Sequence, residues 1–107
     1  MSGSFGEMGS LLKQAQEMQR ELDRVRSELR AKTIEGSAGG GMVKVWVSGD
    51  RQVTKVEISP EAFKAGDKGQ LEDLLLSALR DGLGRATRLA EESLAKVTGG
   101  MNLPGLF

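Results

Sequence analysis

The stretch Met8–Leu29, MGSLLKQAQEMQRELDRVRSEL, decides how this chain is read. Met8, Leu11, Ala15, Met18, Leu22, Val25 and Leu29 follow one another at spacings of 3, 4, 3, 4, 3 and 4, an unbroken a/d heptad seam. Almost everything between them is polar, with Leu12 the one large apolar residue off the seam. A narrow apolar stripe on a polar rod is unstable alone, because short isolated helices are marginal and the stripe needs another surface. Leu11, Met18, Leu22 and Val25 are therefore expected at a packing or dimer contact. Ser10 is the expected N-cap of a helix from Leu11 to about Lys32, roughly 33 Å long. The Gly- and Ser-rich residues 1–9 are expected to form a flexible tail.

Downstream of the seam the period changes from helical to alternating. Thr33-Ile34-Glu35 reads as a short strand, and the run Gly36-Ser37-Ala38-Gly39-Gly40-Gly41 as a permissive connection. Met42–Val47 then alternates, with Val43, Val45 and Val47 on one face and Trp46 on the other. Ser48-Gly49-Asp50-Arg51 supplies a turn into Gln52–Ser59, where Thr54, Val56 and Ile58 are expected opposite Val53, Lys55 and Glu57. These three segments make an antiparallel meander with one apolar face, which calls for helices on one side only. Ser59-Pro60-Glu61 starts a short helix ended by Gly66, and Asp67 precedes a long amphipathic helix over about Gln70–Val97. Gly82 and Gly84 inside that helix suggest close approach of another backbone, with a local hinge as the alternative. The fold class expected is α+β, in the order α-β-β-β-α. One domain is expected over residues 10–98, followed by a flexible apolar tail over 99–107.

Composition excludes several functions. The chain has no Cys, which removes disulfides and thiolate metal sites, and no His or Tyr, which removes the commonest general base and metal ligand. Its carboxylates form no compact cluster suited to acid–base work or an oxygen cage, so neither enzyme activity, a metal, a cofactor nor a small-molecule substrate is expected. The Gly-rich run at 36–41 opens a strand and not a helix, so it lacks the geometry of a phosphate-binding loop. No segment is long and apolar enough to span a membrane, and no signal peptide is evident, so a cytoplasmic location is expected. Fifteen Lys and Arg balance fifteen Asp and Glu. Any affinity for phosphate must then come from local asymmetry.

The ordered set of Leu12-Lys13-Gln14-Ala15-Gln16-Glu17-Met18-Gln19, the run Gly36–Val45, Gly49, Val56-Glu57-Ile58-Ser59-Pro60 and the terminal Leu103-Pro104-Gly105-Leu106-Phe107 resembles the YbaB/EbfC family of bacterial nucleoid-associated proteins. The resemblance covers nearly the whole chain. It implies a tweezers-like homodimer with projecting helices, located on the nucleoid, that binds double-stranded DNA and organises or compacts the chromosome.

Residues 10–32 carry six basic side chains against four acidic ones. With the seam at a and d, Lys13 and Arg20 fall at f, Arg24 at c, Arg26 at e and Arg30 at b, so most point away from the seam. These five are the candidate DNA-binding residues, since guanidinium is suited to phosphate and such contacts carry little sequence information. The opposing reading is that Glu17, Glu21, Asp23 and Glu28 neutralise them as intrahelical pairs at i,i+3 and i,i+4. Arg80, Arg85 and Arg88 carry a weaker signal, because Asp81 and Glu92 stand four residues from the last two. A lone Trp46 makes a poor base-stacking platform and is better placed at a subunit contact. Phosphate contacts do not separate DNA from RNA. A rival function is a non-enzymatic dimeric protein-interaction module that uses the helix seam or the Leu-Pro-Gly-Leu-Phe tail.

Overall fold

A computed structural model describes residues 2–99. Its elements are α1 (Ser2–Ala31), β1 (Thr33–Ala38), β2 (Val43–Ser48), β3 (Val53–Ile58), α2 (Pro60–Lys64) and α3 (Lys68–Thr98). The α+β order expected from the sequence is the one found, with a single antiparallel sheet ordered β1-β2-β3. Of the apolar tail expected over 99–107, residues 100–107 lie outside the described residues.

The core starts at β2, where Val43, Val45 and Val47 alternate inward and are fully buried. Ile34, Gly36 and Ala38 of β1 pair with Val47, Val45 and Val43 and so share that face. Across it lies α3, whose Ala78 is buried and whose Leu71, Leu74, Leu75 and Leu79 pack around the same cluster. The helix comes close because both surfaces lack side chains at the crossing. A Cβ on residue 36 would sit 2.5 Å from Gly82 Cα and 2.6 Å from Ala78 O. Gly82 is thus the backbone contact its position suggested, whereas Gly84 has nothing within 4 Å.

Three sequence expectations are corrected. The helix α1 starts at Ser2 and not after Ser10, so residues 2–9, read as a tail, belong to it. Gly and Ser are weak helix formers, but each Gly costs only about 1 kcal/mol and no Pro intervenes to stop the helix. Next, β1 runs through Gly36 to Ala38, and only Gly39, Gly40 and Gly41, all at positive φ, make the connection. Third, the β2–β3 register shifts between Trp46 and Val47, so Val47 pairs with Val53 while Trp46 pairs with Lys55. Thr54 is the extra residue of this bulge and donates its hydroxyl to Trp46 O at 3.1 Å. Val53 therefore joins Val56 and Ile58 on the helix-side face, instead of lying opposite them.

Caps fix the helix ends. Ser59 Oγ accepts from Ala62 N (3.2 Å) ahead of Pro60, and Asp67 Oδ1 accepts from Gln70 N (3.0 Å). Gly99, at φ 66, closes α3 in the left-handed conformation.

The edge of β1 is tied to α3 by Ser37 N donating to Asp81 Oδ2 at 3.0 Å. That backbone hydrogen bond, and then Arg85 at 3.0 Å from Oδ1, hold the Asp81 carboxyl below its ordinary pKa of 3.8. A carboxylate with a depressed folded pKa contributes stability in full above its unfolded pKa and loses it as pH falls through the folded value. Asp81→Ala is expected to lower Tm modestly at pH 7. The gap from wild type should close in thermal melts taken progressively below pH 4, and a gap constant down to pH 2.5 would contradict this role.

Candidate nucleic-acid interface

The seam of α1 is used in two ways. Its C-terminal half, Leu22, Val25 and Leu29 with Met18 alongside, packs on Ala90, Leu94, Leu89 and Val97 of α3. The helices run antiparallel, and α1 continues past the end of α3. Every residue from Gly6 to Glu17 is exposed, Leu11 by 65% and Met8 and Leu12 by 60% each. The chain accordingly measures 77 × 21 × 16 Å, with the first half of α1 as a projecting arm. Of the expected packing residues, Leu22 and Val25 are buried within the chain, Met18 is partly buried, and Leu11 stands free of its own fold.

The base of α1 is fastened to the sheet through Gly49, whose N–H donates to Leu29 O at 2.9 Å. A Cβ there would lie 2.9 Å from Leu29 Cα and from its carbonyl carbon, so glycine sets this approach.

Along this rod the five candidate basic residues differ in how far they are already committed. Arg24 is bound on both sides, its guanidinium 2.7 Å from Glu21 and 2.7 Å from Glu28. The hydrogen bond from Arg24 holds the Glu21 carboxyl below its ordinary pKa, and the two carboxylates, Glu21 first, raise that of Arg24. Arg26 stands 3.7 Å from Asp23, a loose pair. For Arg24 and Arg26 the intrahelical pairing foreseen as the alternative is present. Lys13, Arg20 and Arg30 have no carboxylate within 4 Å among the described residues, and the Glu17–Arg20 pair that the spacing allows is not made. On α3, Arg85 pairs with Asp81 at 3.0 Å. The Arg88–Glu92 pair is absent.

The family model of the YbaB/EbfC DNA-binding family matches residues 5–101. The chain belongs to the YbaB/EbfC DNA-binding family. It is 42% identical over 105 residues to a nucleoid-associated protein of Thermoanaerobacter pseudethanolicus, covering 98% of this chain and 94% of that one. A nucleoid-associated protein of Acetivibrio thermocellus is likewise 42% identical over 106 residues, again covering 98% and 94%. The crystal structure of an uncharacterized protein from Helicobacter pylori superposes with a TM-score of 0.71 at 26% identity, covering 90% of this chain and 97% of the other. For a YbaB/EbfC protein the polar face of the sheet is also of interest. There Trp46 is half-buried between Glu35 and Lys55, its pairing neighbours, with Lys55 Nζ 4.8 Å from the ring centroid. That cation–π contact occupies one face of the indole. Among the described residues no acidic cluster could hold a metal ion, and no helix is long and apolar enough to cross a membrane.

One basic residue escaped the sequence reading. Arg51, in the β2–β3 turn, lines a cleft with Arg26 and Arg30. Its only sequence-level signal was an Arg at a hairpin position where Gly or Asn is usual.

Proposed function

We propose that this protein is a non-enzymatic, nucleoid-associated DNA-binding protein of the cytoplasm. It acts as a homodimer that grips duplex DNA by its backbone, with little sequence discrimination. The observation that carries the reading is the α1 arm, exposed on all sides, with Lys13 and Arg20 uncommitted along it and Arg30 uncommitted at its base. Arg26 adds to this surface, and Arg24 contributes least because Glu21 and Glu28 already neutralise it. Contacts of this kind release condensed counterions, so affinity falls steeply with salt. Fluorescence anisotropy of a labelled duplex, repeated with an unrelated duplex and at several salt concentrations, tests this. Saturable, strongly salt-dependent binding of both is expected, and no binding at low salt would overturn it.

The dimer is argued from β3. This edge strand leaves one row of backbone groups open, and Val53, Val56 and Ile58 remain 46%, 44% and 37% exposed on the face that elsewhere is covered by α3. An open edge with an uncovered apolar face is a ready surface for a second chain. Because Val56 is exposed in the single chain, Val56→Asp should leave the fold intact and weaken self-association by roughly 30-fold or more. Sedimentation across a concentration series reads this directly. Unchanged association would move the dimer contact elsewhere, first to Met8, Leu11 and Leu12 on the arm. Those three exposed residues also support the rival reading, a protein-interaction module that uses the free half of the seam.

A further inference from the structure

The cleft at the base of α1 lies between the last turns of that helix, the β2–β3 turn and α3. It has a volume of about 180 Å³ and is lined by the apolar Leu29, Ala90 and Leu94 and by Arg26, Arg30 and Arg51. Neither Arg30 nor Arg51 has an ion-pair partner among the described residues. Among the described residues Asp50 is the only carboxylate lining the cleft, and its Oδ1 accepts from the Ser48 hydroxyl. Arg26 is loosely paired with Asp23 at 3.7 Å, so Arg30 and Arg51 against the Asp50 carboxylate leave the cleft with a small positive excess. The negative end of α1 does little to offset this, since Leu29 O already accepts from Gly49 N and from Lys32 N (3.1 Å).

Arg51 holds its place against a backbone preference. The turn closes with Arg51 N donating to Ser48 O (2.9 Å) and Ser48 N to Gln52 O (2.8 Å), and Arg51 itself has φ 67. It is the one non-glycine residue at positive φ among those described. A side chain with a Cβ is strained in that region, and Gly would be easier there. The strained backbone and the uncommitted guanidinium fall on the same residue, at a cleft shared with two further arginines.

We propose that this cleft seats a backbone phosphate of the bound duplex, with Arg30 and Arg51 as the principal donors and Arg26 at the rim. The proposal rests on the DNA-binding reading above and extends the contact surface from the arm to its base. The cleft draws arginines from both a helix and a turn, and the planar guanidinium fork suits the oxygens of a phosphodiester.

The test is Arg51→Gly, with DNA affinity and thermal stability measured on the same preparation. Gly relieves the positive φ, so Tm should hold or rise by up to about 5 °C. Affinity for the labelled duplex should fall roughly tenfold at low salt, and the slope of log affinity against log salt should become shallower by about 1 for each cleft engaged. Arg30→Gln, an exposed change on another element, should show the same loss. Arg85→Gln, which removes a guanidinium already held by Asp81, should leave affinity and slope as they were. Wild-type binding with Arg51→Gly and Arg30→Gln unaltered in affinity and slope would overturn the cleft site while leaving the DNA-binding reading standing. An equal loss in Arg85→Gln would reduce the effect to net charge and overturn it too. Absence of wild-type binding at low salt would remove the DNA reading itself.

Discussion

Gly36→Ala is expected to destabilise the fold by about 3 kcal/mol or more, although it adds a single methyl group. Overpacking in a core ordinarily costs about 1–3 kcal/mol because neighbouring side chains can give way. Here the new Cβ would meet backbone, Gly82 Cα at 2.5 Å and Ala78 O at 2.6 Å. No rotamer change relieves that contact, so α3 must lift from β1 and β2. Lifting it opens the buried cluster of Val43, Val45 and Ala78 between sheet and helix. At about 4–8 °C per kcal/mol for a domain near this size, Tm should fall by more than about 12 °C. Gly84→Ala supplies the opposite sign two residues from the crossing, because a Cβ there meets nothing within 4 Å. In a helix interior that change should stabilise by up to about 1 kcal/mol. Thermal or urea unfolding of the two variants against wild type decides the matter. Similar small effects in both would mean that the Gly36–Gly82 contact is not what sets the spacing of helix and sheet.

This pair shows where the fold was legible in the chain and where it was not. The alternation of Val43, Val45 and Val47, Ser59 before Pro60, and Asp67 before the long apolar stripe each act within a few residues. Local chemistry of that kind places β2, α2 and α3 almost to the residue. Gly36 is different, since as a residue it argues against a strand. It lies in one because a helix 46 positions later needs the space. The bulge at Thr54 is equally non-local, and by shifting the register it moved Val53 across the sheet and left β3 with an apolar face and no cover. The start of α1 at Ser2 is not legible in the sequence, because Gly and Ser weaken a helix without stopping it. As for the site, the heptad placed Lys13, Arg20 and Arg30 correctly on the outside, but spacing alone could not tell which charges are occupied. Glu21 takes Arg24 and Glu17 leaves Arg20 free, although both pairs stand three residues apart. Arg51 was invisible for a related reason, since only folding brings a hairpin turn beside the last turn of α1.

The double reversal Lys13→Glu with Arg20→Glu is expected to weaken DNA binding by 100-fold or more at about 50 mM salt, with the fold and the self-association unchanged. Both residues occupy the outer stripe of α1, seven positions apart, Lys13 on the free arm and Arg20 just past its root, and neither spends its charge on a neighbouring carboxylate. If the proposed reading holds, reversing them removes two phosphate contacts from each arm and sets two carboxylates against the polyanion, and in the proposed dimer the effect is counted twice. Arg24→Gln should change affinity by no more than about threefold, because Glu21 and Glu28, each 2.7 Å away, already offset its charge. That contrast guards against a trivial explanation, since all three positions lie on one exposed helix and differ in whether the cation is free. Anisotropy with salt variation reads the affinities, and sedimentation checks that the assembly is intact. If Arg24→Gln were as damaging as the double reversal, DNA would have to break the Glu21–Arg24–Glu28 triad on binding, and the map of free cations would not predict the interface. If neither variant lost affinity, the arm would not be the surface that meets the backbone. The exposed Met8, Leu11 and Leu12 would then mark it as a protein-docking rod, on which Leu11→Asp and not charge reversal should abolish the partner contact.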